Sequence, residues 1–493
     1  MQYSTSNLAA AITHPDSVAA QNNNEDKNTG LVTDSDSCND SISNLEYTKI
    51  AISTLRLFCY NQIHAYPFSQ VPLEYIKGFA ASCVLSSLFY CVDYFQHSQS
   101  VDQHFPFQQM ISDLDTALIV GGSAVSSPLK KLINDFFLIL SASEIELRAP
   151  AYIYTQKYLC SARRQVLIKG KYRVDAQFAV FAISSSTNFE VAAKMSGFIN
   201  DGKSLSDKAQ AELLPVRICN LAKSWPAFQN WNSVEYLLAA TNWGRRVVPV
   251  EIGSSYVSDS WSQKFCPFGE LLQDWLSSSD GSERDIKYMA QHDLLQQITS
   301  LRKDVVVPDL IYNSAVFGRS NNVHVTMNSW VGPSGTISPL HTDPNNNILV
   351  QIVGYKYVRL YSPQIPIQEM YPRVEDNIDM SNTSEVLLER GCYGALFGDN
   401  DALDYQCSTL DDEGLASGAK GTESSKASSS DLFETMRTRM REKRNYRDQY
   451  DNFNWDSSYL ECVLEPGNGL FIPAGWWHYV RSLSPSFSVN FWF

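Results

Sequence analysis

The spacing of apolar and polar positions changes along this chain, and each change marks a different kind of segment. Between about 44 and 240, stretches such as YTKIAISTLRLFCYNQI, YIKGFAASCVLSSLFYCVDYF and SPLKKLINDFFLILSASEIELRA repeat their apolar residues every three or four positions. That period predicts helices with one buried face, and so an all-helical domain over 44–240. Pro128, next to Ser127, sits where the first turn of a helix tolerates proline. From 241 onwards the runs shorten and the period falls towards two: RVVPVEIG, HVTMNSWVG, TISPLHTD, ILVQIVGYKYVRLYSP, YLECVLEPG, GLFIPAGWWHYVRSL and SFSVNFWF. Gly and Pro separate them, as in an all-β barrel or double-sheet jelly roll. One short helix is expected just before the main strands, around Asp285 to Ile298. The fold class predicted is α+β, helical domain first and barrel second.

Two segments follow neither period. Residues 1–43 are rich in Asn, Ser, Asp and Thr and carry too little apolar surface to offset the entropy of ordering, which predicts a disordered tail. Residues 378–455 interrupt the strands and read as a partly disordered insertion. They include the low-complexity run DDEGLASGAKGTESSKASSS and the charged, helix-like DLFETMRTRMREKRNYRDQY. The cations Arg437, Arg439, Arg441, Lys443, Arg444 and Arg447 of the latter suit a nucleic-acid or import patch, and equally a solvated helix face.

Composition narrows the classes further. A chain of 493 residues, 44% hydrophobic, is long enough for two or three domains with sizeable cores. A net charge of −14 argues against nucleic-acid binding through a general basic surface, leaving the 437–447 segment as the one place for it, and is compatible with a basic protein partner. The ten cysteines form no CxxC pair. The N-terminus lacks the charged and apolar regions of a secretory signal, and no run of eighteen apolar residues stands out. The expectation is a nuclear or cytoplasmic protein that is neither secreted nor membrane-bound, of open oligomeric state.

Candidate chemistry lies in the β-rich half. In an extended strand His341 and Asp343 point to the same side, so one imidazole nitrogen and one carboxylate oxygen converge. A lone His-x-Asp occurs in many proteins. His478, in GLFIPAGWWHYVRSL, can complete a two-His, one-carboxylate triad, which suits a non-haem Fe(II) with coordination positions left open for a bidentate 2-oxo acid and O2. Lys356 alternates with Val358 and Leu360 on one strand face. A lysine there demands an anion, either from an internal salt bridge or from the far carboxylate of a bound dicarboxylic acid, unless it snorkels at the strand end. Asn347, Ser338 and Trp330 stand close enough in sequence to line the same cavity, although each taken singly reads as structural.

WVGPSGTISPLHTDPNNNILVQIVGYKYVRLYSP and PGNGLFIPAGWWHYVRSLSPSFSVNFWF, together with RVVPVEIGSSYVSDSWSQ and KYMAQHDLLQQI upstream, agree in order and spacing with the Jumonji-C (JmjC) family. They resemble its branch of small protein hydroxylases, similar to arginyl C3-hydroxylases and earlier described as histone lysine demethylases. The resemblance covers about 245–375 and 457–493. It implies a double-stranded β-helix of jelly-roll or cupin-like form, with Fe(II) as metal, 2-oxoglutarate as co-substrate and O2 as oxidant. By position it implies His341, Asp343 and His478 as catalytic iron ligands. It implies Lys356, Asn347, Ser338 and Tyr288 as 2-oxoglutarate contacts, with Trp330 beside them. Glu251 and Trp261 resemble positions that hold a substrate guanidinium, where a carboxylate and an indole face suit a cation. The functions implied are a 2-oxoglutarate-dependent dioxygenase that hydroxylates a protein at an arginine or other basic residue, or a methyl-lysine demethylase of histones. A non-catalytic chromatin-associated binding module is the third reading, disfavoured by the intact triad and Lys356.

Overall fold

The computed structural model describes residues 44–66, 70–97, 106–142, 180, 182–184, 213–253, 255–257, 261–277, 286–312, 323–375, 379–392, 429–456 and 458–493. The expected N-terminal tail and the low-complexity run lie outside them. The chain divides into two compact units. The first holds 1–151 with 238–250 and 262–270, the second the remainder.

Four helices make most of the first unit: α1 (Asn44–His64), α2 (Leu73–His97), α3 (Phe107–Gly121) and α4 (Ser127–Ala142). Their shared core contains Cys59, Phe79, Cys83, Ile111, Leu114, Ile133 and Phe137. Leu73–Tyr94 is long and apolar enough to cross a membrane by length and composition alone. In this unit, however, α2 packs Phe79, Ala80 and Cys83 into that core. Asp115, fully buried, binds the Arg246 guanidinium at 2.7–3.0 Å and accepts from the Val247 amide at 2.7 Å, so the buried charge is both paired and hydrogen-bonded.

The second unit is a double sheet. Its strands are β1 (Ala182–Ser184), β2 (Val216–Cys219), β3 (Val247–Ile252, shared with the first unit), β5 (Lys287–His292), β6 (Thr326–Gly332), β7 (Ile337–Thr342), β8 (Asn347–Val353), β9 (Lys356–Tyr361), β10 (Tyr459–Leu464), β11 (Gly469–Ile472), β12 (Trp477–Ser482) and β13 (Ser486–Trp492), while β4 (Ser262–Pro267) lies in the first. One sheet runs β1-β2-β11-β8-β13-β6-β5-β3-β4 and the other β10-β9-β12-β7. Leu349, Val358, Leu360, Leu470, Ile472 and Val480 fill the space between them. This is the double-sheet, jelly-roll half of an α+β chain.

Two sequence expectations are corrected here. The range 44–240 is not all helical: Val216–Cys219 is a strand paired antiparallel with β11. Its partner lies about 250 residues away, so a local period could not reveal it. The segment Asp285–Ile298 is not one helix either. Lys287–His292 is β5, paired with β3 and β6, and only Leu294–Gln297 is helical, capped where the Asp293 carboxylate accepts from the Gln296 amide.

The segment after 378 is ordered at both ends. Val386, Leu388, Cys392, Phe453 and Trp455 cover the outer face of the four-stranded sheet, against Tyr357, Tyr361 and Tyr479. Ser429–Gln449 is a helix whose Lys443 and Arg447 donate to the carbonyls of Cys392 and Gly391. Under this cover Arg359 pairs with Glu461 at 3.2 Å, both side chains 7% exposed, and the Tyr357 hydroxyl donates to the same carboxylate. Glu461→Leu strands the guanidinium without its anion and should lower unfolding free energy by about 3–5 kcal/mol, read by urea denaturation.

Candidate functional site

Strands β7 and β12 pair so that His341 stands directly opposite His478. Their rings lie 4.2 Å apart, centroid to centroid. The chain leaves β7 at Thr342, and Asp343 follows, its carbonyl accepting from the Gly475 amide in the turn before β12. The Asp343 Oδ2 atom then lies 4.0 Å from His341 Nε2 and 3.6 Å from His478 Nε2. One ligand atom from each residue fits within a 4.8 Å set, the geometry of a site for a single metal ion.

The outer ring nitrogens make the histidines good ligands. His341 Nδ1 is 2.7 Å from the Pro339 carbonyl and His478 Nδ1 is 3.0 Å from the Trp476 carbonyl. A carbonyl only accepts, so each Nδ1 carries the hydrogen and each Nε2 presents a lone pair to the centre. Burial, and next the neighbouring His341, lowers His478 to about 4, which keeps it a neutral ligand at physiological pH. Two imidazoles and one carboxylate with an open side suit non-haem Fe(II) better than an all-oxygen or closed thiolate set would.

The triad walls an open cavity together with Trp330, Ser338, Asn347 and Lys356. Lys356 is 2% exposed, and no carboxylate pairs with it among the described residues. Its Nζ donates to the Tyr288 hydroxyl at 3.2 Å and lies 5.6–5.7 Å from the Tyr288 and Trp330 ring centres. Burial without an anion pushes its pKa down to about 7. The internal salt bridge that could satisfy this lysine is absent among the described residues. Tyr288, on β5, reaches the same corner through that hydrogen bond.

Glu251 and Trp261 do not wall this cavity. Glu251 lies on β3 opposite Tyr288, is 8% exposed, and is pushed up to about 7 by burial. The indole N–H of Trp261, which makes no full hydrogen bond, opposes that rise.

Six further cavity residues escaped the sequence reading: the apolar Leu349, Ile472 and Val480, and Gln291, Asn490 and Trp492. Asn490 accepts from the Trp330 indole at 2.9 Å and donates to Asn347 Oδ1 at 3.3 Å, so it fixes both. Its signal was present as the one amide in the apolar strand SFSVNFWF.

The fold and this donor set define a cupin-type metal site. The chain belongs to the cupin-like family, whose domain matches residues 203–493. It is 34% identical to Lysine-specific demethylase 8 of Xenopus tropicalis over 278 residues, 56% of this chain and 47% of that protein. It is equally identical to Lysine-specific demethylase JMJ30 of Arabidopsis thaliana over 278 residues, 49% of that protein. JmjC domain-containing protein F of Dictyostelium discoideum matches at 27% over 358 residues, 65% of each chain. The chain thus spans about half the length of the first two relatives.

Two measurements check the site. His341→Ala and Asp343→Ala should each abolish stoichiometric Fe(II) binding under anaerobic calorimetry while leaving the unfolding midpoint within a few degrees. Because the unfolded chain holds the Lys356 proton up to about 10.5 and the folded state only to about 7, the unfolded state binds more protons between those values. Ligand-free stability should therefore rise with pH from about 7 to 10.5 relative to Lys356→Met, which removes that contribution.

Proposed function

We propose that this protein is an Fe(II)- and 2-oxoglutarate-dependent dioxygenase that hydroxylates a protein substrate at arginine or another basic residue. The observation that carries this reading is the pairing of the His341–Asp343–His478 triad with a buried, anion-free Lys356 in one cavity. A metal site alone fits many cupins, whereas the lysine specifies a ligand with a carboxylate remote from the metal.

Bound Fe(II), with O2 and 2-oxoglutarate, supplies the oxidation that turns a substrate C–H into C–OH while the 2-oxo acid loses CO₂ to become succinate. The chain's residues hold and orient. His341, Asp343 and His478 would hold the metal. Lys356, assisted by the hydroxyls of Tyr288 and Ser338, pairs with the distal carboxylate, and the arrival of that anion raises Lys356 into its charged form. The Asn347 amide, anchored by Asn490, donates to the same acid. Trp330 and Trp492 exclude water from the cavity, which strengthens each of these contacts. No side chain need act as acid or base.

Glu251 supports the basic substrate. No Lys or Arg of the described residues pairs with this buried carboxylate, and a guanidinium would both ionise it and bind it bidentately, with the Trp261 indole alongside. The names of the relatives favour a second reading, demethylation of methyl-lysine, in which hydroxylation of an N-methyl group releases formaldehyde. The experiment is turnover by the Fe(II)-loaded protein on arginine- and methyl-lysine-containing peptides, reading succinate and peptide mass together. The proposal expects succinate with a gain of one oxygen on an unmethylated peptide. Loss of a methyl group with formaldehyde would establish the demethylase, and succinate with neither change would refute both. Glu251→Gln should raise the KM for the basic peptide at least tenfold and leave that for 2-oxoglutarate unchanged.

A further inference from the structure

Successive residues of a strand face opposite sides, so positions three apart should not share a face. Tyr288 reaches the metal cavity to contact Lys356, yet Gln291, three residues further along β5, also walls that cavity. The pairing with β6 explains how. Met289 opposes Val331 and His292 opposes Ser329, so β5 spends one residue more than β6 over this interval. The extra residue is a bulge facing Trp330, and it turns the Gln291 side chain back to the cavity side.

The bulge places Gln291 at φ +49°, a conformation for which glycine is the usual choice. Its flanks are fixed: His292 Nε2 lies 2.6 Å from Gln297 Oε1, and the Tyr288 ring packs where Gly332 has no side chain. The chain therefore keeps a long polar side chain at a position where glycine would be less strained. Strain of this kind persists where a side chain is needed for function. Gln291 is half-buried on the same wall.

We infer that Gln291 contacts the polypeptide substrate, its side-chain amide receiving the peptide unit next to the carbon that is hydroxylated. The inference rests on the oxygenase reading. A neutral amide carries both an N–H donor and a carbonyl acceptor and so matches a peptide unit, while a cationic side-chain head requires the carboxylate of Glu251. By holding the backbone of the substrate, Gln291 sets which carbon faces the metal and couples consumption of 2-oxoglutarate to product.

Two variants separate the amide from the strain. Gln291→Gly removes both, and Gln291→Ala removes the amide but keeps a β-carbon at positive φ. In the metal-free protein, Gln291→Gly should raise the thermal midpoint by about 2–4 °C, and Gln291→Ala should not raise it. In the Fe(II)-loaded protein both should raise the KM for peptide at least tenfold, leave the KM for 2-oxoglutarate unchanged, and yield more succinate per hydroxylated peptide. Wild-type peptide KM and wild-type coupling in both variants would overturn the inference. Failure of the unmodified protein to consume 2-oxoglutarate with any peptide is a separate result, and it overturns the oxygenase reading underneath.

Discussion

The antiparallel register of β7 against β12 is the constraint on which the site depends. It sets His341 opposite His478, although 137 residues separate them, and the turn before β12 holds the Asp343 backbone. A slip of one residue would turn one imidazole to the opposite face of the sheet. The register is held from outside as well as inside. Tyr357, Tyr361 and Tyr479 on the outer face are buried under residues 386–392 and 453–455, and the segment at Thr383 bridges to His341 itself. The segment read from sequence as an interruption therefore supports the strand that carries the first histidine.

The same sheet geometry creates the electrostatic asymmetry of the cavity. Lys356 begins β9 with its side chain on the inner face beside Val358 and Leu360, where water cannot solvate the ammonium. Its charge is costly there, and burial lowers its pKa to about 7. Glu251 is the opposite case, a buried acid that burial pushes up to about 7. The triad, Lys356 and Glu251 lie on different elements, so each can be altered without removing the others.

Much of this was legible in the sequence because β7, β8, β9, β12 and β13 are short, largely buried β-rich runs set between Gly and Pro turns. The triad residues and Lys356 were found from periodicity and residue chemistry together. What was missed follows from the limits of local pattern. Residues 287–292 consist of Lys, Tyr, Met, Ala, Gln and His, with good helix formers among them, and pairing with β3 and β6 overrides that preference. Gln291 could not be placed because its bulge breaks the parity on which strand reading relies. Val216–Cys219 is four residues long and gains its role only from β11.

The most direct test of the account is the visible charge-transfer absorption that develops when a 2-oxo acid chelates protein-bound Fe(II) without oxygen. The account predicts that band on adding 2-oxoglutarate to the Fe(II)-loaded protein, its loss in His341→Ala, and a need for at least tenfold more 2-oxoglutarate in Lys356→Met. Pyruvate, which has no distal carboxylate, should titrate equally in both. An iron-loaded protein that gives no band with 2-oxoglutarate, or a Lys356→Met variant that binds it as tightly as the unmodified chain, would contradict the account.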